Sequence, residues 1–366
     1  MRLLAYTDSA QVGGAELALG YLIAELAPSY EVVVIACEQA VAEEIAAARP
    51  GTAAISVPRP RGFFDRGALL EHLRTLRGLR PAVMHANQAW PGACAHGELA
   101  GLLTPGVAVL AVDHLPRASA VPRVQAFARR ALARRVGVHV AVGVRAARQI
   151  EALSGLPAGS VLAVPNGVPP LELTPVPAPA PPPIVGSVGR LTEQKGYDLL
   201  VRALPDLPGA TLVLVGDGPQ RGELEGLAAE LQVGDRLVIT GWRRDARSYL
   251  SSFDVFALPS RWEGMPLGIL EAMQAGLPVL AADVGSVTEA VEDRETGLVV
   301  APDDLQAVSA GLATLLGDEA LRRRMGSRAR EVALGRFTAA AMARRYEAIY
   351  EDLVRPGRPG SSRSAR

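Results

Sequence analysis

Short β-branched runs alternate with stretches at helical spacing along almost the whole chain of 366 residues. Strands are predicted at 31–36, 82–86, 107–112, 138–142 and 161–164, with helices such as 15–26 and 68–79 between them. That alternation is what parallel sheets wound with helices produce. Eight prolines then fall between 169 and 183, enough to forbid regular structure and stiffen a connector. The alternation restarts with strands predicted at 184–188, 211–215, 237–240, 255–258, 278–281 and 298–300. Two Rossmann-like α/β domains are therefore expected, over 1–168 and 184–337, joined by a Pro-rich linker at 169–183. The helix at 338–354 is expected to pack back on the first domain. Residues 355–366, rich in Gly, Pro, Ser and Arg, are expected to be a disordered tail.

Composition narrows the function classes. Hydrophobic residues are 49% and charged ones 21%, as in an ordinary globular protein. Lys plus Arg equals Asp plus Glu at 38 each, so no global charge argues for nucleic acid. Two cysteines, Cys37 and Cys94, build no disulfide framework and fit a reducing, cytoplasmic setting. The apolar start before Asp8 is shorter than the ~7–15 residues of a signal-peptide core, and no run approaches the ~18 of a membrane span. Charge is uneven, however: residues 59 to 135 carry twelve arginines against four acids. This part includes Pro58-Arg59-Pro60-Arg61-Gly62-Phe63-Phe64, which fits a solvated face over two packed Phe, or peripheral contact with an anionic membrane at its inner face. One lysine stands among the 38 basic residues, Lys195. In a chain that otherwise uses Arg, its retention points to a role.

In doubly wound sheets ligands bind beyond the carboxyl ends of the strands, and the informative motifs all follow strands. Gly13-Gly14-Ala15-Glu16 opens the first helix, where glycine amides can approach an anion. Its spacing is not the G-x-G-x-x-G of dinucleotide folds, which counts against a dehydrogenase. The second domain opens with Gly189-Arg190-Leu191, followed by Lys195-Gly196. Two cations five residues apart in a glycine-flanked loop suit a diphosphate clamp, Arg as a fork and Lys as a point charge. Gly216-Asp217-Gly218-Pro219 is at least as well read as a turn. The longest constellation runs from Ser260 to Ala272. There Gly264, Met265, Pro266 and Leu267 form a helix entry flanked by Glu263 and Glu271, a carboxylate pair able to hold sugar and ribose hydroxyls.

These motifs resemble retaining glycosyltransferases of the GT-B fold, family 4 (glycosyl transferases group 1). The resemblance rests on Glu263-x7-Glu271, Gly13-Gly14-Ala15-Glu16, Gly189-Arg190-Leu191 with Lys195-Gly196, and Val164-Pro165-Asn166-Gly167-Val168. It extends through Gly216-Asp217-Gly218-Pro219, Gly285-Ser286-Val287-Thr288-Glu289 and Thr296-Gly297-Leu298. It implies two Rossmann-like domains facing across a cleft, with the nucleotide sugar on the second and the acceptor on the first. Arg190 and Lys195 would hold the diphosphate and Glu271 the ribose. Glu263, with the backbone of Gly264 to Leu267, would contact the donor sugar. Gly241 and Trp242 would lie near the base, Gly13 and Gly14 near the diphosphate, and His114 would touch the sugar. His85-Ala86-Asn87 matches a family His-x-His only in its first member. Asp-x-Asp occurs nowhere, so the resemblance implies a metal-independent transfer with no cofactor, from a nucleotide-diphosphate sugar to a glycan, lipid or small-molecule hydroxyl. In an inverting enzyme Asp113 would be the carboxylate to suspect. The alternatives are a non-hydrolysing sugar-nucleotide epimerase and a non-catalytic subunit of the same fold.

Overall fold

The computed structural model describes residues 1–117, 122–171 and 176–355. It divides into two units, one of Met1–Gly167 with the segment from Ala339 on, the other Val168–Thr338. The proline segment accordingly groups with the second unit, apart from residues 172–175. Those four and the predicted tail from 356 on lie outside the described residues.

The first unit carries seven parallel strands. They are β1 (Arg2–Thr7), β2 (Glu31–Ala36), β3 (Ala53–Ser56), β4 (Val83–Gln88), β5 (Ala108–Asp113), β6 (Val138–Ala141) and β7 (Val161–Ala163), in the order β3-β2-β1-β4-β5-β6-β7. Strands covered on both faces read as continuous apolar runs, and β2, Glu-Val-Val-Val-Ile-Ala, buries all but its first residue. Where the strands outrun the prediction, the reason is polar. β4 continues through Asn87 and Gln88 and β5 through Asp113, all buried, so hydrophobicity alone ended both strands early. β3 escaped prediction because it is short, Ala-rich and half-exposed at the sheet edge. The helix predicted at 68–79 begins at Arg66, because Asp65 caps it by accepting from the Ala68 amide at 3.1 Å.

One face of this sheet is packed by the helices Gly14–Glu25 and Ala339–Val354, through Leu19, Leu22, Ile23, Met342, Tyr346 and Tyr350. The other face has a compact cluster around Leu4, Tyr6, Met84 and Leu76. Further along, around β5, the buried cluster is smaller, Val109, Ala111 and Val136 with Leu102 and Val107 packed against them. There the helix Arg123–Ala133 buries none of its residues.

The second unit holds β8 (Ile184–Val188), β9 (Thr211–Val215), β10 (Leu237–Ile239), β11 (Val255–Leu258), β12 (Val279–Ala282) and β13 (Gly297–Val300), in the order β10-β9-β8-β11-β12-β13. The chain order reverses between β8 and β11, the switch point at which doubly wound sheets bind ligands. Among the described residues no helix is long and apolar enough to cross a membrane.

Candidate functional site

In the second unit, the loops following β8, β9, β11 and β12 are tied together by backbone. Gly189 donates to Val215 O at 3.0 Å, and Leu191 to Asp217 O at 2.9 Å. A Cβ on Gly218 would lie 2.3 Å from Leu191 O, so Gly216-Asp217-Gly218 serves as a loop-packing turn. Gly285 has φ +54°, and a Cβ there would fall 2.0 Å from Glu263 O; next to it, the Ser286 amide donates to Gly264 O at 2.7 Å. The loop carrying Glu263 is thereby fixed from behind.

On this frame Lys195 and Glu263 meet. Lys195 Nζ lies 2.6 Å from Glu263 Oε1, with the side chains 18% and 7% exposed. Ser260 Oγ donates to the same oxygen at 3.0 Å, and Gln194 Nε2 to Glu263 Oε2 at 3.3 Å. Lys195 closes a short 3₁₀ turn that ends at Gly196, φ +64°, where a Cβ would sit 2.2 Å from Pro259 O. Removing one partner of such a buried pair costs ~3–5 kcal/mol, because the other charge stays desolvated. Arg190, the second expected cation, is exposed and makes no ion pair or hydrogen bond among the described residues.

Arg261 braces the same loops. Its guanidinium forks onto Asp198 at 2.8 Å on both oxygens, and its Nε lies 2.8 Å from Asp303. Burial opposes ionisation of Asp198, but the Arg261 hydrogen bonds and charge outweigh it and hold the carboxyl below its ordinary value. Nothing in the spacing of the sequence singled Arg261 out.

Glu271, buried in the helix Leu267–Gln274, lies 3.2 Å from Arg247 Nε, while Arg247 Nη2 donates to Pro169 O at 3.1 Å. Arg247 went unrecognised because Arg243, Arg244 and Arg247 look alike in sequence; Arg243 instead pairs with Asp245 and lies over the Tyr249 ring. Pro266 is the N-cap of that helix, and Met265 and Leu267 are buried. Trp242 follows β10 beside Gly241, which bridges to Gly216. Its indole is 73% exposed.

In the first unit, Gly13 donates to Glu16 Oε2 at 3.0 Å and Thr7 Oγ1 to Glu16 Oε1 at 3.1 Å, making buried Glu16 a helix cap. The Gly13 amide is thus committed. Beside Gly14 there is open space, with nothing within 4 Å of where a Cβ would stand. His114 Nε2 is 2.7 Å from Asn87 Oδ1, while Asn87 Nδ2 donates to Ala15 O at 3.1 Å. Because the Asn87 oxygen accepts, His114 carries its proton on Nε2 and keeps a lone pair on Nδ1. Burial lowers its pKa to about 4, so the ring is neutral at physiological pH. His85 is a core residue instead, its Nδ1 2.7 Å from Tyr350 OH. Within β4, the weight of His85-Ala86-Asn87 falls on Asn87, which links this strand to His114 and the first helix. Deeper in the same unit, burial pushes the carboxyls of Asp113 up to about 7 and Glu98 up to about 8, with the charge of Asp113 adding to the latter. Phe63 and Phe64 pair edge-on at 5.1 Å, but Phe64 is 70% exposed rather than packed.

Two family models match the chain: Glycosyltransferase Family 4 over residues 12–170 and Glycosyl transferases group 1 over 174–332. A lipopolysaccharide core biosynthesis glycosyltransferase, LpsE of Rhizobium meliloti, is 35% identical over 168 residues, covering 46% of this chain and 49% of that protein. An alpha-D-kanosaminyltransferase of Streptomyces kanamyceticus is 33% identical over 177 residues, 47% of this chain and 46% of that protein. The chain spans about half the length of these relatives. In structure it is similar to Anabaena Alr3699/HepE in complex with UDP-glucose, TM-score 0.81 at 22% identity, over 96% of this chain and all of the other. It is similar also to sucrose-phosphate synthase from Thermosynechococcus elongatus, TM-score 0.79 at 23% identity, over 96% of this chain and 99% of the other. At that identity the likeness fixes the GT-B fold.

Proposed function

This chain belongs to the glycosyltransferases of the GT-B fold, and on that premise we propose that it moves a sugar from a nucleotide-diphosphate sugar to an acceptor hydroxyl, with retention at the anomeric carbon and without a metal ion. The observation that carries this reading is the Lys195–Glu263 pair at the carboxyl edge of the second sheet, with uncommitted Arg190 five residues away. A diphosphate brings the anionic charge that Arg190 lacks, and it competes with Glu263 for the lysine. As the bond to the leaving group breaks, charge grows on the diphosphate, where fixed cations stabilise the transition state more than the ground state. The departing phosphate oxygen takes the acceptor's proton, so no separate protein base is required. Glu271, oriented by Arg247, accepts from the ribose hydroxyls, and exposed Trp242 offers a face on which a base stacks. On the first unit, His114 with its Nε2 proton held by Asn87 contributes to sugar recognition.

Two measurements test the chemistry. Transfer should survive exhaustive EDTA treatment; complete loss restored by Mg²⁺ or Mn²⁺ would overturn metal independence. Among the described residues no three His, Cys, Asp or Glu side chains gather into a metal-binding group. Proton coupling at the anomeric centre of the product, compared with the donor, separates retention from inversion.

We propose further that the chain contacts an anionic membrane through the helix Arg123–Ala133, in the same arginine-rich part of the sequence as the Phe63–Phe64 loop. From residue 114 to residue 150 there are eight arginines and no acid. On the helix, Val124 is 69% and Phe127 75% exposed, flanked by exposed Arg123, Arg130 and Arg134. Apolar tips between cations match an interfacial helix. Co-sedimentation with phosphatidylglycerol vesicles, absent with phosphatidylcholine vesicles and lost in Phe127→Ser combined with Arg130→Glu, is the expected result. Equal sedimentation of wild type and variant would refute it.

A further inference from the structure

The first sheet carries a row of polar side chains on a face where a parallel sheet is ordinarily apolar. Gln88 and Asp113 are register partners on β4 and β5, and His139 on β6 is opposite Ala111, two residues before Asp113. All three therefore lie on one face of neighbouring strands. Their exposures are 2%, 2% and 7%. Glu98 joins from the helix Ala95–Leu102, accepting from Gln88 Nε2 at 2.9 Å. Gln88 Oε1 in turn accepts from the Gly92 amide at 2.9 Å.

Above the row is a cavity of about 260 Å³, lined by Gln88, Glu98, Asp113 and His139 and walled by Arg117 and Arg129. Two buried atoms of the row have no protein partner, Asp113 Oδ1 and His139 Nδ1. His139 Nε2 faces the Ala133 carbonyl at 2.8 Å and so holds the ring proton, leaving Nδ1 as a lone-pair acceptor. A buried acceptor left unmatched is costly, and here two of them line one space. The cover is thin, because the overlying helix Arg123–Ala133 buries nothing and the apolar cluster built on Val109, Ala111 and Val136 is small, with Leu102 and Val107 packed against it.

We propose that this cavity is a binding subsite for a neutral polyhydroxylated ring, the terminal sugar or polyol of the acceptor, held by Asp113, His139 and the Gln88–Glu98 pair. Hydroxyls are the chemistry that fits. Each O–H donates to an orphaned acceptor such as Asp113 Oδ1 or His139 Nδ1, and its oxygen accepts from the arginine wall. A volume just below the roughly 300–1,000 Å³ of drug-sized sites admits one ring and excludes a nucleotide. Recognition by burial of paired polar groups also gives selectivity, because an analogue lacking a hydroxyl leaves a partner unmatched. This assignment rests on the glycosyltransferase reading for the statement that the ring belongs to an acceptor.

Saturation-transfer NMR of the whole chain with glucose, galactose, mannose and myo-inositol tests it. At least one ring should bind wild type and should bind at least tenfold more weakly to Asp113→Asn, which puts an amide donor in reach of a hydroxyl that needs an acceptor. Ala126→Phe, on the cavity-facing side of the covering helix, fills the space without touching the polar row and should abolish the signal. No binding by any of the four rings, or undiminished binding in Ala126→Phe, overturns the proposal. Calorimetry of uridine, guanosine and adenosine diphosphates on the same samples separates the two readings. Nucleotide binding without ring binding refutes the subsite alone. Failure of all three nucleotides refutes the transferase reading beneath it.

Discussion

Replacing Lys195 by alanine is expected to lower kcat/KM by ~30- to 1000-fold, the equivalent of ~2–4 kcal/mol of transition-state stabilisation. The side chain is one partner of a 2.6 Å ion pair, and its carboxylate is 7% exposed. Its loss therefore has two separable consequences. Glu263 stays buried with only Ser260 and Gln194 as partners, which lowers the melting temperature. The diphosphate loses its point charge, which lowers the rate. Adding Glu263→Gln to Lys195→Ala removes the stranded charge and should restore most of the stability while leaving the rate low. Lys195→Arg should recover only part of the rate, since the planar fork has a different reach from the ammonium. Wild-type turnover in Lys195→Ala, with folding verified by thermal melting, would falsify the clamp assignment.

Legibility in the sequence follows the physics of each signal. Most strands of both sheets were readable because buried parallel strands are apolar runs; β4 was cut short at Asn87 and Gln88, whose burial is satisfied by polar partners instead of apolar contact, and β5 at Asp113, which is buried with its Oδ1 unmatched. Lys195 was conspicuous because it is the one lysine, and Glu263 because glycines and a proline frame it. What escaped were the partners. Arg247 and Arg261 hold Glu271 and Asp198, yet a chain with so many arginines marks none of them by type. Their roles depend on distances across 24 and 63 positions of sequence, as Glu271 and Asp198 show, and spacing carries no such information. The Asn87–His114 bond escaped similarly, since register between β4 and β5 brings it about: Asn87 pairs with Val112, two residues before His114. Trp242 was expected near a base, and its exposure follows from standing past the end of a three-residue strand at the sheet edge.

The two carboxylates of the second unit should fail in different ways. Glu271→Gln removes the charge that accepts from ribose hydroxyls and weakens the hold of Arg247, so nucleoside diphosphate affinity should fall together with rate. Glu263→Gln frees Lys195 from its ion pair, and the unneutralised ammonium then meets the diphosphate directly. Nucleoside diphosphate affinity should therefore hold or rise, while the rate falls because the contact nearest the reacting sugar is lost. A charge-assisted hydrogen bond is worth ~1.5–3 kcal/mol, which sets each loss at roughly ten- to hundredfold. The amide replacing Glu263 also keeps the Ser260 hydrogen bond, so a change in fold is not the expected cause. Calorimetry of nucleoside diphosphate on both variants, beside single-turnover transfer rates, resolves the two patterns. Equal losses of affinity and rate in both variants would refute the division of labour between Glu263 and Glu271. Unchanged affinity and rate in both would refute the donor site itself, because the Lys195–Glu263 and Arg247–Glu271 pairs are what the second unit presents for holding a nucleotide sugar.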